Sequence, residues 1–357
     1  MTSPGPTAPP AGRPPDLLGR HQRPFSEHAG MARAFPRGRM TIGAITPLEG
    51  YDGPVPSMVG HVEVIQQAER AGFASAWVRD VPLLDPHFGD TGQVFAPWAY
   101  LGYLTAQTTS ITLGTASIVL PLRHPLDIAK AAASIDQLSG GRLLLGVATG
   151  DRPVEFPAYG IDFETRAERF RASLDYLHTV LENHFPDVRS PLGQMSGTDL
   201  IPKPVYERVP VLMTGRGRQE LEWIAAKTDG WLYYTPPIEQ QVLNIQQWRR
   251  LTAAPDGAGY KPFAQATSLD LQENPSALPR RIHQGFSVGR EVWLEMLRSY
   301  QRIGIDQLMI NFKQSRRPVP EVIDELAQYV LPEFPPGSAE QAAHTGAPGP
   351  EGAGATV

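Results

Sequence analysis

The chain has no cysteine among its 357 residues. That excludes disulfides, thiolate metal sites, iron–sulfur clusters and a cysteine nucleophile. No apolar stretch reaches the roughly 20 residues a membrane-spanning helix requires. The arginines near the N-terminus are not followed by the hydrophobic segment of a signal peptide. With 32 Lys+Arg against 37 Asp+Glu, the net charge of −5 gives no basic footprint for nucleic acid. The expectation is a cytoplasmic protein with neither membrane nor nucleic acid among its partners. The chain also lacks a dense His/carboxylate pattern such as H-E-x-x-H, so no metal site is expected.

Proline and glycine, by contrast, are plentiful, at 36 and 34 residues. Eight prolines fall within 1–36, and four more, with five glycines, within 335–357. Neither stretch carries hydrophobic periodicity, so both are expected to be disordered tails around one domain at 37–334. A domain of that length suits a single α/β barrel.

Apolar or β-branched segments without polar alternation recur at Met40–Thr46, Ser75–Arg79, Ile111–Leu120, Arg142–Ala148, Val209–Thr214, Asp229–Tyr234, Pro262–Leu269 and Asp306–Phe312. This is the pattern of parallel strands covered on both faces. Helical periodicity lies between them, notably at Ser57–Arg70, His124–Leu138, Thr165–Asn183, Gln219–Lys227, Arg290–Ile303 and Val319–Val330. The spacing predicts an α/β fold, a (β/α)8 TIM barrel with insertions after strand 4 (near 184–208) and after strand 7 (near 270–288). A doubly wound open sheet is the alternative, but no glycine fingerprint follows the first strand. In a barrel, chemistry sits at the C-terminal strand ends.

Four such ends stand out. Thr214-Gly215-Arg216-Gly217-Arg218 follows the fifth strand. Its glycines allow close backbone approach to an anion, the helix opening at Gln219 adds partial positive charge, and two arginines can pair with phosphate oxygens. A plain glycine turn with two solvated arginines is the other reading. At the fourth strand end, Thr149, Gly150, Asp151 and Arg152 offer either a wall for a flat ring or a surface turn with an ion pair. At the third, Ser117 would face the barrel mouth, and His124 before Pro125 is either a catalyst or a helix cap. At the second, Asp80 precedes a loop with Asp85, His87 and Asp90, whose residues are read as solvated rather than metal-binding. Trp231, Tyr233 and Tyr234 divide between barrel interior and helix layer.

Longer stretches carry a resemblance. Leu113-Gly-Thr-Ala-Ser117 through Lys130 resembles the third strand and following helix of the bacterial luciferase-like flavin monooxygenases. Ile135-Asp-Gln-Leu-Ser-Gly-Gly-Arg142 through Gly150 resembles that family's most recognisable segment, Asp-x-Leu-Ser-x-Gly-Arg. Pro210 through Arg218, Glu222 through Ala226, and Asp229-Gly-Trp231 resemble its phosphate-binding fifth strand. Val288-Gly289 through Leu308-Met-Ile-Asn311 resembles its closing segment. The match runs from about Met40 to about Val330.

The resemblance implies a flavin-binding barrel. Ala116–Ser117 matches a strand-end bulge, often a non-proline cis peptide, behind the isoalloxazine ring. Thr149 and Gly150 match positions beside the ribityl chain and phosphate, and Gly215, Arg216, Gly217 and Arg218 match the phosphate cradle. Asp80, His87, His124 and Asp151 are the candidate proton-transfer or orienting groups. The second strand ends in Asp80-Val81-Pro82 without the luciferase histidine, so light emission is not expected. The luciferase phosphate-contacting arginine and reactive cysteine fall at Thr149 and Ala148. The expected activity is FMN-dependent oxidation, a monooxygenase using reduced FMN and O2 on a small organic substrate. The resemblance also brings a separate flavin reductase and a homodimer into the expectation. Two alternatives stay open: hydride transfer with a deazaflavin coenzyme, whose acidic tail would need a basic groove near Arg216, Arg218 and Arg152, and a flavin-binding protein without turnover.

Overall fold

The structure, a computed structural model, describes residues 16–253 and 259–338. Eight parallel strands close into a barrel: β1 (Thr41–Ile45), β2 (Ser75–Val78), β3 (Thr112–Thr115), β4 (Leu143–Ala148), β5 (Val211–Thr214), β6 (Gly230–Tyr234), β7 (Phe263–Leu271) and β8 (Gln307–Asn311). Each pairs with the next, and β8 returns to β1 with Thr41 opposite Gln307 and Ile45 opposite Asn311. The expected (β/α)8 barrel is the fold, and every strand begins within two residues of its expected start.

One helix follows each strand: His61–Ala71, Pro97–Gln107, Pro125–Ser139, Arg166–Glu182, Leu221–Lys227, Ile238–Thr252, Arg290–Ile303 and Val319–Tyr329. Outward-facing strand residues and inward helix faces form the large core. The barrel interior holds a smaller one, including Ile45, Trp77, Leu144, Leu212, Leu232 and Met309. Trp77 fits there because Gly114 on the adjacent strand has no Cβ; one would lie 2.2 Å from the indole.

The structure departs from the sequence reading at definite places. The helix expected from Ser57 starts at His61, because Glu49 accepts the Ser57 and Met58 amides at 3.0 and 3.1 Å and holds them in a turn. Pro97–Gln107 was not singled out; it is apolar on most sides and carries no stripe. The third strand, expected as one segment, breaks at a cis Ala116–Ser117 peptide, and Ile118–Val119 then pairs with β4. The fourth-strand insertion contains the hairpin Val188–Ser190/Gly193–Met195. In the seventh, Arg280–Ile282 pairs antiparallel with Gly285–Val288, which lies parallel to β7.

The N-terminal boundary needs correcting. Residues 16–36, expected in the tail, include the helix Ala29–Ala34, and Ala34 and Phe35 are buried in the barrel-interior core. Met31 and Phe35 supply apolar contacts that the prolines' density had masked, and Gly30 N–H donates to Gly141 O at 3.2 Å beneath the barrel. At the other end, Gly337 N–H donates to Arg33 O at 3.0 Å. The remaining tail residues, 1–15 and 339–357, lie outside the described residues.

Candidate active site

At the C-terminal strand ends lies a cavity of about 830 Å³. Its floor is apolar, with Ile45, Leu232, Ala266 and Met309 rising from the barrel interior. Its walls bring together Ala116 and Ser117 after β3, Thr149 and Gly150 after β4, and Gly215 and Gly217 after β5. Six of the eight residues expected to bind a cofactor therefore share one space.

The loop after β5 is shaped by its backbone. Gly215, Gly217 and Arg218 all have positive φ, at 64°, 52° and 59°. A Cβ on Gly217 would lie 2.4 Å from Met213 Cε, whereas one on Gly215 would meet no protein atom within 4 Å. Open space thus stands beside Gly215, bounded by a turn able to present amides to an anion. Gly215 N–H is committed to Leu232 O at 2.8 Å, and Gln219 N–H to Arg216 O at 2.8 Å. The Arg216, Gly217 and Arg218 amides lie between them. Arg216 and Arg218 are exposed, do not line the cavity, and Arg218 faces Glu164 at 3.5 Å. The helix expected to open at Gln219 begins at Leu221. Across the cavity the Ser117 and Thr214 hydroxyls hydrogen-bond to each other.

The four candidate acid–base groups separate. Asp80 lines the cavity but acts as a clamp: it receives both Arg123 guanidinium nitrogens and the Val119 amide at 3.0 Å. His87 is at the exposed rim, its ring 3.7 Å from Asp85. Asp151 is exposed at the mouth. His124 does not line the cavity. Its Nδ1 accepts the Leu126 amide at 3.1 Å as a helix cap, and its Nε2 meets Leu192 O at 2.5 Å. Asp85, His87 and Asp90 do not converge, because Asp90 pairs with Arg79 and, at 3.4 Å, with Lys313. Burial works against the charge on Asp90, but Arg79, the Gly92 amide and Lys313 together hold its carboxyl below the usual range.

Sequence reasoning passed over one buried, partly unpartnered group of the cavity wall. Glu155, 1% exposed, lines the cavity, and its Oε1 has no hydrogen-bond partner. Burial pushes its carboxyl up to about 7. Arg152 beside it is buried, donates to Asp90 O at 2.8 Å and lies 4.6 Å over the Phe88 ring. Of the three aromatics on β6, Tyr233 and Tyr234 line the cavity. Trp231 packs outward on Trp248 and donates to Gly215 O at 2.7 Å, steadying the glycine loop from behind.

Comparison with known proteins gives a consistent picture. The family model described as luciferase-like monooxygenase matches residues 40–302. An uncharacterized protein of Mycobacterium tuberculosis is 30% identical over 231 residues, 63% of this chain and 76% of its own length. The 4-hydroxyprotoasukamycin monooxygenase of Streptomyces nodosus subsp. asukaensis is 30% identical over 153 residues, 42% of this chain and 40% of its own. Among solved structures, an F420-dependent secondary alcohol dehydrogenase superposes with a TM-score of 0.67 at 17% identity, covering 83% of this chain and 99% of that one. The oxygenating constituent of a 3,6-diketocamphane monooxygenase from Pseudomonas putida, in complex with FMN, gives 0.65 at 13% identity, covering 83% and 99%. At those identities the structural likeness speaks for the fold.

Proposed function

The chain belongs to the luciferase-like monooxygenase family, and from that premise we propose that it is an oxidoreductase that binds FMN in the cavity and oxygenates a small organic substrate. The observation that carries this reading is the meeting of small residues and an apolar floor in one cavity. Ala116, Ser117 and Gly150 would form the wall against which a flat ring lies. The space beside Gly215 suits a phosphate, which the Arg216, Gly217 and Arg218 amides would hold. Bound there, reduced flavin supplies the electrons that activate oxygen. The protein's part is to hold the ring, exclude water with Ile45, Leu232 and Met309, and place the substrate beside it.

FMN is favoured over a deazaflavin coenzyme by the state of the cations. A long acidic tail needs an open basic groove. Here Arg152 is buried under Phe88, Arg79 and Lys313 share Asp90, and Arg123 is locked to Asp80, so the exposed Arg216 and Arg218, outside the cavity lining, are what remains of the expected groove. Reduced flavin would come from a separate reductase, and a homodimer in the cytoplasm is the working form of the proposal. Equilibrium titration of the purified protein with FMN, reduced FMN and coenzyme F420 tests the reading. Flavin binding that quenches its fluorescence, with much weaker F420 binding, is expected. Tight F420 binding without FMN binding would overturn it.

A further inference from the structure

Among the described residues, several buried side-chain polar atoms lack a hydrogen-bond partner, and Glu155 Oε1 is the one that belongs to the cavity wall. Packing fixes its position. It opens the single turn Glu155–Ala158, its amide donates to Arg152 O at 3.2 Å, and the next residue, Phe156, is buried against Val119 and Leu122. The charged groups facing it come from three places. Asp80, at the end of β2, and Arg123, ahead of the helix Pro125–Ser139, are bonded to each other. Arg152, on its own loop, is engaged by Asp90 O and the Phe88 ring, and Asp151 stands exposed at the mouth. One carboxyl oxygen of Glu155 is therefore left without a partner in the wall of the cavity.

We propose that Glu155 is a catalytic residue, a general acid–base group that exchanges one proton with an oxygen or nitrogen atom of the reactants bound in this cavity. The inference rests on the reading of the cavity as an oxidoreductase site. In the acid direction the carboxyl O–H bond breaks and leaves its electron pair on the carboxylate, while a new O–H or N–H bond forms on the acceptor. Water at the mouth, near Asp151, returns the proton. Burial raises the carboxyl against the opposing pull of Arg152, with Asp80 and Asp151 adding to the rise, so that both protonation states are populated near neutrality.

Reduced FMN and oxygen provide a probe that requires no known substrate. The reduced flavin anion gives oxygen two electrons and one proton, and a second proton completes hydrogen peroxide. In the wild-type protein, peroxide release should fall as pH rises through about 7, where Glu155 loses its proton. Glu155→Gln should slow release at least roughly tenfold and flatten that limb, and Glu155→Asp should restore part of both. FMN affinity should change by less than about threefold in either variant. A second measurement needs no flavin. Infrared difference spectra of the ligand-free protein between about pH 5 and 9 should contain a protonated-carboxyl band that disappears in Glu155→Gln. An unchanged rate and pH limb in Glu155→Gln, or no band that this variant removes, overturns the proposal. If wild-type protein fails to bind FMN, the cofactor reading falls, and the infrared titration alone decides the role of Glu155.

Discussion

The two ends of the barrel treat buried polarity in opposite ways. At the N-terminal end, most buried charges are heavily hydrogen-bonded. Arg142 donates five hydrogen bonds, to Ser139 O, Thr108 Oγ1, Ile111 O, Thr105 O and Thr108 O, at 2.9–3.2 Å. Lys203 Nζ reaches Val180 O, Asn183 O and Asp199. Asp306 accepts from Arg249 and from the Phe263 amide, both at 2.6 Å. At the C-terminal end, Glu155 is left unpartnered, the β5 loop has three positive-φ residues, and space stands open beside Gly215. One end closes the fold; the other holds capacity in reserve for a ligand, the division expected of a barrel whose sites lie at its C-terminal face.

The largest effect should come from breaking the heavily hydrogen-bonded end. Arg142→Ala removes five donors and strands several buried acceptors, so we expect a loss on the order of 4 kcal/mol in urea unfolding. Flavin affinity of the folded fraction should be unchanged, because the guanidinium lies at the opposite end from the cavity. A loss below about 1 kcal/mol would show that these hydrogen bonds do not hold this end closed.

The same contrast explains what the sequence disclosed. Its most recognisable motif, Asp136-Gln-Leu-Ser-Gly-Gly-Arg142, belongs wholly to the structural end. Asp136 accepts the Val205 amide, Ser139 Oγ accepts the Arg142 amide, and Arg142 binds the loop before β3. Strand starts were legible because each is an apolar run between breakers, and the glycines after β4 and β5 because close backbone approach demands them. Glu155 was illegible. One glutamate between two prolines in Arg152-Pro-Val-Glu-Phe-Pro157 has no pattern, and its isolation arises only when Asp80, Arg123 and Arg152 bond elsewhere. His124 shows the converse, since a histidine before proline fits either a catalyst or a cap, and the structure makes it a cap. Residues 16–36 were misplaced because prolines outweighed the few apolar positions that close the barrel floor.

The structural end also holds unpartnered buried atoms, and one pair of them sharpens the comparison through pH. His28 Nε2 and Asp136 Oδ1 face each other at 3.8 Å with both side chains fully buried. Burial pushes Asp136 up from 3.8 to about 7 and His28 down from 6.5 to about 3. The raised carboxyl gives stability that is full below its unfolded value and lost as pH climbs through about 7; the lowered histidine gives the reverse over an overlapping window. The two trends oppose each other. Asp136→Asn leaves the histidine trend alone, so its stability relative to wild type should rise from about pH 4 to pH 7, by on the order of 2 kcal/mol. A flat difference across that window would show that the pair does not titrate as burial dictates.

At the open end, stability effects should shrink while ligand effects grow. Gly215→Ala places a methyl where φ is 64° and no protein atom lies within 4 Å. The backbone cost should be about 1 kcal/mol. The methyl takes space assigned to phosphate, so FMN affinity should fall by roughly tenfold or more. Equal thermal stability combined with unchanged affinity would place the phosphate elsewhere.

The smallest stability change should come from the loop's exposed cations. Arg218 holds only a 3.5 Å contact with Glu164, and Arg216 is exposed, so Arg216→Ala with Arg218→Ala should alter unfolding by no more than about 0.5 kcal/mol. FMN affinity should nevertheless fall by an order of magnitude or more, because a charged hydrogen bond to phosphate contributes about 1.5–3 kcal/mol. For this to occur, a guanidinium must swing from solvent onto the phosphate when flavin binds. That movement makes FMN affinity fall with added salt in wild type and much less so in the double variant. Unchanged affinity in the double variant would leave the backbone amides of the glycine loop as the whole of the anion site. In that case the open end would hold its ligand by shape and backbone, with its arginines no more than solvated surface.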